Sequence, residues 1–439
     1  MNIRVVRTVF TKMPLVGALG AFMAIAVACT SASVASPSEP TQSDLQGSQP
    51  TVTVESPQTT PANFLGAPIP DSQPEPVSDA ELQRLLRGTR FSTSAWSKTN
   101  FNIHSISFGE ILSGGPGKGG IPAIFNPKLE TVASADEWLS DGEPVQVVQI
   151  NGEVRAYPKQ ILIWHEIVND TVGGEPIAVT FCPLCNTSFV FSRRVGDLVL
   201  EFNTTGLLRF SNLVMWDLQT ETWWQEATGT GIVGDLTGVE LQGLPMNIVS
   251  WEEFKTSFPD AQVLSVDTGH NRPYGSNPYA GYDTSGNPFL FDGELDRRLF
   301  PVERVVGINI GDESIAIPYT DLAAKSVTNF TLGGQELVVF HKAGVRSTLD
   351  AERLANGRDV GAVGVFDPNL DGRKFTFAIE DGRIVDNETG SVWSILGRAT
   401  SGSLQGKQLT AVVHHPGQFW FSWVAFKPNT RLYSDGSMS

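Results

Sequence analysis

Val147-Val148-Gln149-Ile150-Asn151-Gly152-Glu153, followed by Ala156-Tyr157-Pro158, returns later in the chain as Val305-Val306-Gly307-Ile308-Asn309-Ile310-Gly311, followed by Ala316-Ile317-Pro318. Each copy reads as apolar, β-branched runs broken by Asn and Gly, the pattern of strands joined by a tight turn. The likeness extends outward. Val168-Asn169-Asp170 with Gly173-Gly174 matches Val327-Thr328-Asn329 with Gly333-Gly334, and Asp217-x-x-Thr220-x-x-x-Trp224 matches Asp386-x-x-Thr389-x-x-x-Trp393. Leu236-Thr237-Gly238 matches Leu404-Gln405-Gly406, and Trp251 with Phe258-Pro259-Asp260 matches Trp420 with Lys427-Pro428-Asn429. So long a period denotes duplicated domains rather than a solenoid. The expectation is a mainly β fold with minor α, made of two duplicated β-rich units, 143–265 and 302–434, packed about a pseudo-twofold. An N-terminal extension over 79–142, opening on a short helix at 79–86, precedes them, and an inter-repeat loop over 266–301 joins them.

With 439 residues, 41% hydrophobic and 18% charged, the composition is globular rather than disordered or multi-spanning. Lys and Arg number 31 against 47 Asp and Glu, a net charge of −16, which excludes a general nucleic-acid binder. At the N-terminus, Arg4, Arg7 and Lys12 flank an apolar run over 13–27 that is too short for a durable membrane span. It ends in Ala26-Val27-Ala28-Cys29, which resembles a bacterial lipobox. Segment 1–29 is therefore read as a lipoprotein signal peptide, with a diacylglyceryl anchor carrying palmitate-type chains on Cys29. Cleavage there removes three cations and leaves 28 against 47, or −19, so the anchor rather than surface charge would hold the membrane. Residues 30–78 are rich in Pro, Ser and Thr, too polar to fold, and read as a disordered tether. The expected location is extracytoplasmic, on the cell membrane or the outer membrane.

The matched units differ at Phe181-Cys182-Pro183-Leu184-Cys185, which aligns with Phe340-His341-Lys342-Ala343-Gly344. Only the first unit carries a CxxC. Runs 177–181 and 188–191 both read as strand, so the motif lies on a strand-to-strand turn, unlike the helix start of a thioredoxin site. A structural disulfide, a metal site and a reversible redox pair all remain open. As a staple the pair closes a very short loop, worth about 2 kcal/mol. A metal would need further donors, and His165 and Glu166 in Trp164-His165-Glu166-Ile167, with Met215 behind them, are the candidates. That soft set favours copper over zinc. The counterpart of His165 falls at 323–325 and is not His, so it varies together with the cysteines.

Competing motifs fail. A zinc deaminase needs His-x-Glu and a Pro ahead of its cysteines, whereas His165 and Glu166 are adjacent and Pro183 lies inside the pair. The glycine-rich run at 113–120 has no Ser or Thr after Lys118. Asp367-Pro368-Asn369-Leu370-Asp371-Gly372 begins like a calcium loop, but position twelve is Ala378, so it reads as a turn. No Ser/His/Asp set or paired-acid motif stands out. The long loop at 268–283 carries Arg272, Tyr274, Tyr279 and Tyr282, which read either as a ligand-holding loop or as an ordered linker.

Trp164-His165-Glu166-Ile167-Val168-Asn169-Asp170, the CxxC run, and Ser211-Asn212-Leu213-Val214-Met215-Trp216-Asp217 together resemble the bacterial and archaeal family catalogued as domain of unknown function 3179. The resemblance covers about residues 105–434 and implies an extracytoplasmic, often lipid-anchored protein without an established activity. Asn186 stands where Gly usually follows the second cysteine. The functional expectation is a Cys182/Cys185/His165 soft-metal site, copper favoured, or a thiol-redox site. The alternative is a binding module in which the CxxC is a structural disulfide and a small molecule or protein occupies the 268–283 loop.

Overall fold

The computed structural model describes residues 73–434 and 437–438. The signal segment, Cys29 and nearly all of the tether lie outside them. The fold is mainly β, 40% strand and 13% helix, with six α-helices among the described residues. None of these helices is long and apolar enough to cross a membrane.

Two runs of elements repeat with equal lengths. Strands Pro144–Ile150 and Glu153–Pro158, helix Lys159–His165, and strands Ile167–Val172 and Glu175–Cys182 form the first. Strands Arg304–Ile310 and Glu313–Pro318, helix Tyr319–Lys325, and strands Val327–Leu332 and Gln335–Lys342 form the second. The repeating reason is chemical. Pro158 and Pro318 close a strand and start a helix with a fixed φ, and neither helix start has a side-chain cap. Each helix stops on a residue in the left-handed region, Glu166 at φ 59° and Ser326 at φ 59°. The next hairpins turn on Gly173-Gly174 and Gly333-Gly334, all at positive φ. A Cβ on Gly173 would sit 2.2 Å from the Ile150 carbonyl oxygen, so only Gly fits.

These bounds correct the register of the sequence match. Pro144 against Arg304 and Cys182 against Lys342 bracket a run with constant spacing. Gly307 therefore stands opposite Val147, two residues from the alignment read in the sequence, and Lys342 rather than His341 stands opposite Cys182. Alternating β-branched residues look alike at neighbouring registers, whereas strand pairing does not tolerate a slip. The side-chain brackets agree. Asn169 exchanges two hydrogen bonds with the Phe202 backbone at 2.8 Å each, and Asn329 does the same with Phe377 at 2.9 and 3.2 Å. Trp224 Nε1 donates to Asp217 Oδ2 at 2.9 Å, as Trp393 Nε1 does to Asp386 Oδ2 at 2.9 Å.

The two runs share a sheet. Strand Met246–Ser250 pairs with Pro144–Ile150 on one side and, through Ile248 and Val363, with Ala362–Asp367 on the other. Helices Trp251–Ser257 and Trp420–Phe426 then carry the chain to short strands that pair in parallel with Glu153–Pro158 and Glu313–Pro318. The N-terminal extension begins with helix Asp79–Leu85, capped by Ser78, whose hydroxyl accepts from the Glu81 N–H. Its Trp96, Phe101 and Phe108 pack edge-on with Trp223 or with one another, burying the outer face of strands Asn212–Asp217 and Trp223–Gln225.

Candidate functional site

Cys182 ends strand Glu175–Cys182 and pairs with Thr187, the first residue of strand Thr187–Ser192. The cysteines thus sit on the strand-to-strand turn expected from sequence. Asn186 closes it at φ 50°, a conformation Asn tolerates, and its amide donates to the Gly417 carbonyl at 2.6 Å. The Phe419 N–H donates to the Cys185 carbonyl at 3.0 Å. The turn is therefore held by strand His414–Phe419, which pairs with Arg304–Ile310 of the second run.

Both thiols are free and essentially closed to solvent, at 1% and 0% exposure. The Cys182 thiol contacts the Ser211 carbonyl at 3.8 Å. Burial pushes its pKa well above the usual thiol range, helped by a hydrogen bond with Cys185 and by the nearby Glu226 and Glu166 carboxyls. Alternation along the hairpin places Thr180, Cys182 and Thr187 on one face, and there the Glu226 carboxyl accepts from Thr180 (2.9 Å), Thr187 (2.7 Å) and Asn212 (2.7 Å). Burial still raises its pKa against those donors. Glu166 is raised to about 8, first by burial and then by Glu226. A Glu166 carboxyl beside the dithiol is thus protonated at neutral pH. On the opposite face, buried Lys159 donates to Ser188 and lies 3.5 Å from the Phe181 ring centroid, and desolvation holds its pKa well below the usual lysine value.

The 266–301 loop supplies neighbours. Burial, then Glu166 and Cys182, push the Tyr279 phenol up; burial, then Cys185, does so for Tyr282. The Ser211 hydroxyl donates to the Phe289 carbonyl at 2.6 Å, and the Phe289 N–H donates to the Tyr282 oxygen at 3.1 Å. The loop is pinned at its other side by Asp283, whose carboxylate takes Arg304 at 2.8 Å, Arg358 at 2.9 Å and the Ser347 hydroxyl at 2.5 Å.

His165 and Tyr274 belong to a separate cluster. The His165 Nδ1–H donates to the Pro122 carbonyl at 2.7 Å, and Nε2 lies 2.7 Å from the Tyr274 hydroxyl, which is itself 2.5 Å from the Thr268 hydroxyl. Pro122 can only accept, so Nδ1 carries the proton, Tyr274 donates to Nε2 and Thr268 donates to Tyr274. Burial lowers the His165 pKa to about 4, against the Pro122 bond and with help from His270 and Arg272. Both ring nitrogens are engaged. Among the described residues no group of three or more His, Cys, Asp and Glu stands close enough to hold a metal ion. Met215 is fully buried in the same core as both cysteines.

The structure thus brings Cys182, Cys185, Glu166, Tyr279 and Tyr282 together, and sets His165, Tyr274 and Arg272 beside them as a second group. Sequence reading missed Glu226 and Lys159. A carboxylate two residues after the apolar Trp223-Trp224 pair, where the second unit has Ile395, is the signal that marks Glu226.

A mainly β protein with a sealed dithiol between carboxyls is the class this geometry defines. The family model described as protein of unknown function (DUF3179) matches residues 118–430, and the chain belongs to that family. Neither a curated protein nor a solved structure matches it.

Proposed function

We propose that this is an extracytoplasmic protein, lipid-anchored through Cys29, in which Cys182 and Cys185 form a reversible thiol–disulfide couple. The observation that carries the reading is the pair itself, two free, buried thiols on one turn, the Cys182 thiol donating to the Ser211 carbonyl. Oxidation joins Cys182 Sγ to Cys185 Sγ and releases two protons and two electrons, the electrons going to a partner disulfide. On reduction, the protonated Glu166 is the adjacent proton donor. Movement of the 266–301 loop would expose the sulfurs to that partner.

A second reading keeps a soft metal. Copper(I) accepts sulfur donors, and Met215 shares the core of the two cysteines. Zinc fits less well, because both His165 nitrogens already have partners. The larger frame is also proposed: a duplication of 143–265 and 302–434 about a pseudo-twofold, supported by equal element lengths and by the twin Asp–Trp brackets.

Metal analysis and a redox titration of protein purified under anaerobic reducing conditions, beside Cys182→Ser, test these readings. A reversible two-electron midpoint near those of thiol-exchange proteins, absent from Cys182→Ser, is expected. Stoichiometric copper lost in the variant would favour the metal. A disulfide too reducing to cycle, with no metal, would overturn both and leave a binding module with a structural clip.

A further inference from the structure

Where the first unit buries Cys182 and its carboxyl neighbours, the second has an open cavity of about 870 Å³. Constant spacing sets Ser326 opposite Glu166 and Lys342 opposite Cys182, and the Asp–Trp brackets set Ile384 opposite Met215 and Ile395 opposite Glu226. All four second-unit residues line the cavity. Cys182, Glu166, Met215 and Glu226 are each exchanged for a residue of different chemistry, and an open cavity lies along the replacements.

What replaced them has a consistent character. Lys342, Arg383 and Arg398 line the cavity, and Glu253 is its single acidic lining residue. Glu253 takes Lys342 at 2.6 Å, which leaves Arg383 and Arg398 as excess charge; Arg383 reaches only the highly exposed Asp381, at 3.8 Å. In a chain of net charge −16 this is a local reversal of sign. Ile379, 39% exposed, and half-buried Val392 provide the accessible apolar wall, while Ile384, Ile395 and Trp393, itself fixed by Asp386, line it from the core. Focusing of a positive field in a concave site favours anions, and an apolar wall beside guanidinium groups suits a flat body carrying an acidic group.

We propose that this cavity is a binding site for a small organic anion with an aromatic or similarly apolar body, the acid held by Arg383 and Arg398 and the body lying against Ile379 and Val392. It is independent of the redox reading, because none of these residues belongs to the dithiol cluster.

The test uses the full chain and two probes, 8-anilinonaphthalene-1-sulfonate and its uncharged parent N-phenyl-1-naphthylamine, in fluorescence titrations. The sulfonate is expected to bind saturably at one site, more tightly than the amine and more weakly as salt rises. Arg383→Glu with Arg398→Glu should weaken the sulfonate at least tenfold and leave the amine unchanged; Lys128→Glu, an exposed charge change elsewhere, should alter neither. Circular dichroism of the double variant guards against misfolding, and Arg383→Gln with Arg398→Gln provides a milder second variant. Equal affinity for both probes, or a sulfonate affinity untouched by both double variants, would overturn the proposal. Failure of the redox titration would not touch it.

Discussion

The dithiol site and the cationic cavity occupy matching places in two runs of the same strands and helices, yet one is sealed and the other open. In the first, the 266–301 loop brings Tyr279 and Tyr282 up to the cysteines, and the Glu166 carboxyl is buried deeply enough to hold its proton. In the second, isoleucines, a serine and a lysine occupy the corresponding positions and line an open cavity. What is common to both belongs to the frame; what differs is where chemistry should be sought. Glu166 illustrates the point. Its left-handed backbone alone would suggest strain stored for function, but Ser326 has the same φ of 59°, so the conformation is how this frame stops a helix. The buried carboxyl is the distinctive part.

The largest expected effects test the frame. Asp217→Ala and Asp386→Ala each strip a buried acceptor from a Trp N–H and from a Thr hydroxyl and backbone N–H. Each should cost about 3 kcal/mol in urea unfolding; a near-neutral result at either position would break the equivalence.

Next comes pH. Glu166 has its folded pKa raised from 4.5 to about 8, so its contribution is fully present below 4.5 and is lost as pH rises through 8. His165, lowered from 6.5 to about 4, acts oppositely, costing stability as pH falls below 6.5. The window from 6.5 to about 8.5 therefore isolates Glu166. Reduced protein should lose about 2 kcal/mol more across it than Glu166→Gln does. Parallel stability curves for the two proteins would remove Glu166 from the account of the site.

The smallest effect distinguishes the twin hairpins. Gly173→Ala places a methyl 2.2 Å from a backbone oxygen, whereas at Gly333 the corresponding distance is 2.8 Å. Thermal unfolding should register about 2 kcal/mol at the first and about 1 kcal/mol at the second. The reverse order would mean that the second hairpin is the stiffer one.

Much of this was legible in the chain. The Gly-Gly turns, the Asp-x-x-Thr-x-x-x-Trp brackets and the CxxC between strand-like runs each have a local cause, so they could be read locally. Register could not: Val147 matches Val305 as well in composition as it matches Gly307 in space, and only strand pairing decides. The site was read in part. His165 and Glu166 are neighbours in sequence, but the helix stop turns them to different partners, one to Pro122 and Tyr274 and the other toward Glu226 and the thiols. Glu226 was missed because its importance comes from three donors on other strands, and the sequence marks only its place after a Trp pair.

The pairing of Ile248 with Val363 has a consequence for how the chain is born. A ribosome delivers strand Met246–Ser250 about 115 residues before its outer neighbour exists. Until then that strand presents bare amides and carbonyls at the rim of a half-built sheet, a template for mispairing with another nascent molecule. Closing so distant a contact is slow. Folding of this protein should therefore depend on a holdase that shields the early half until the late half arrives.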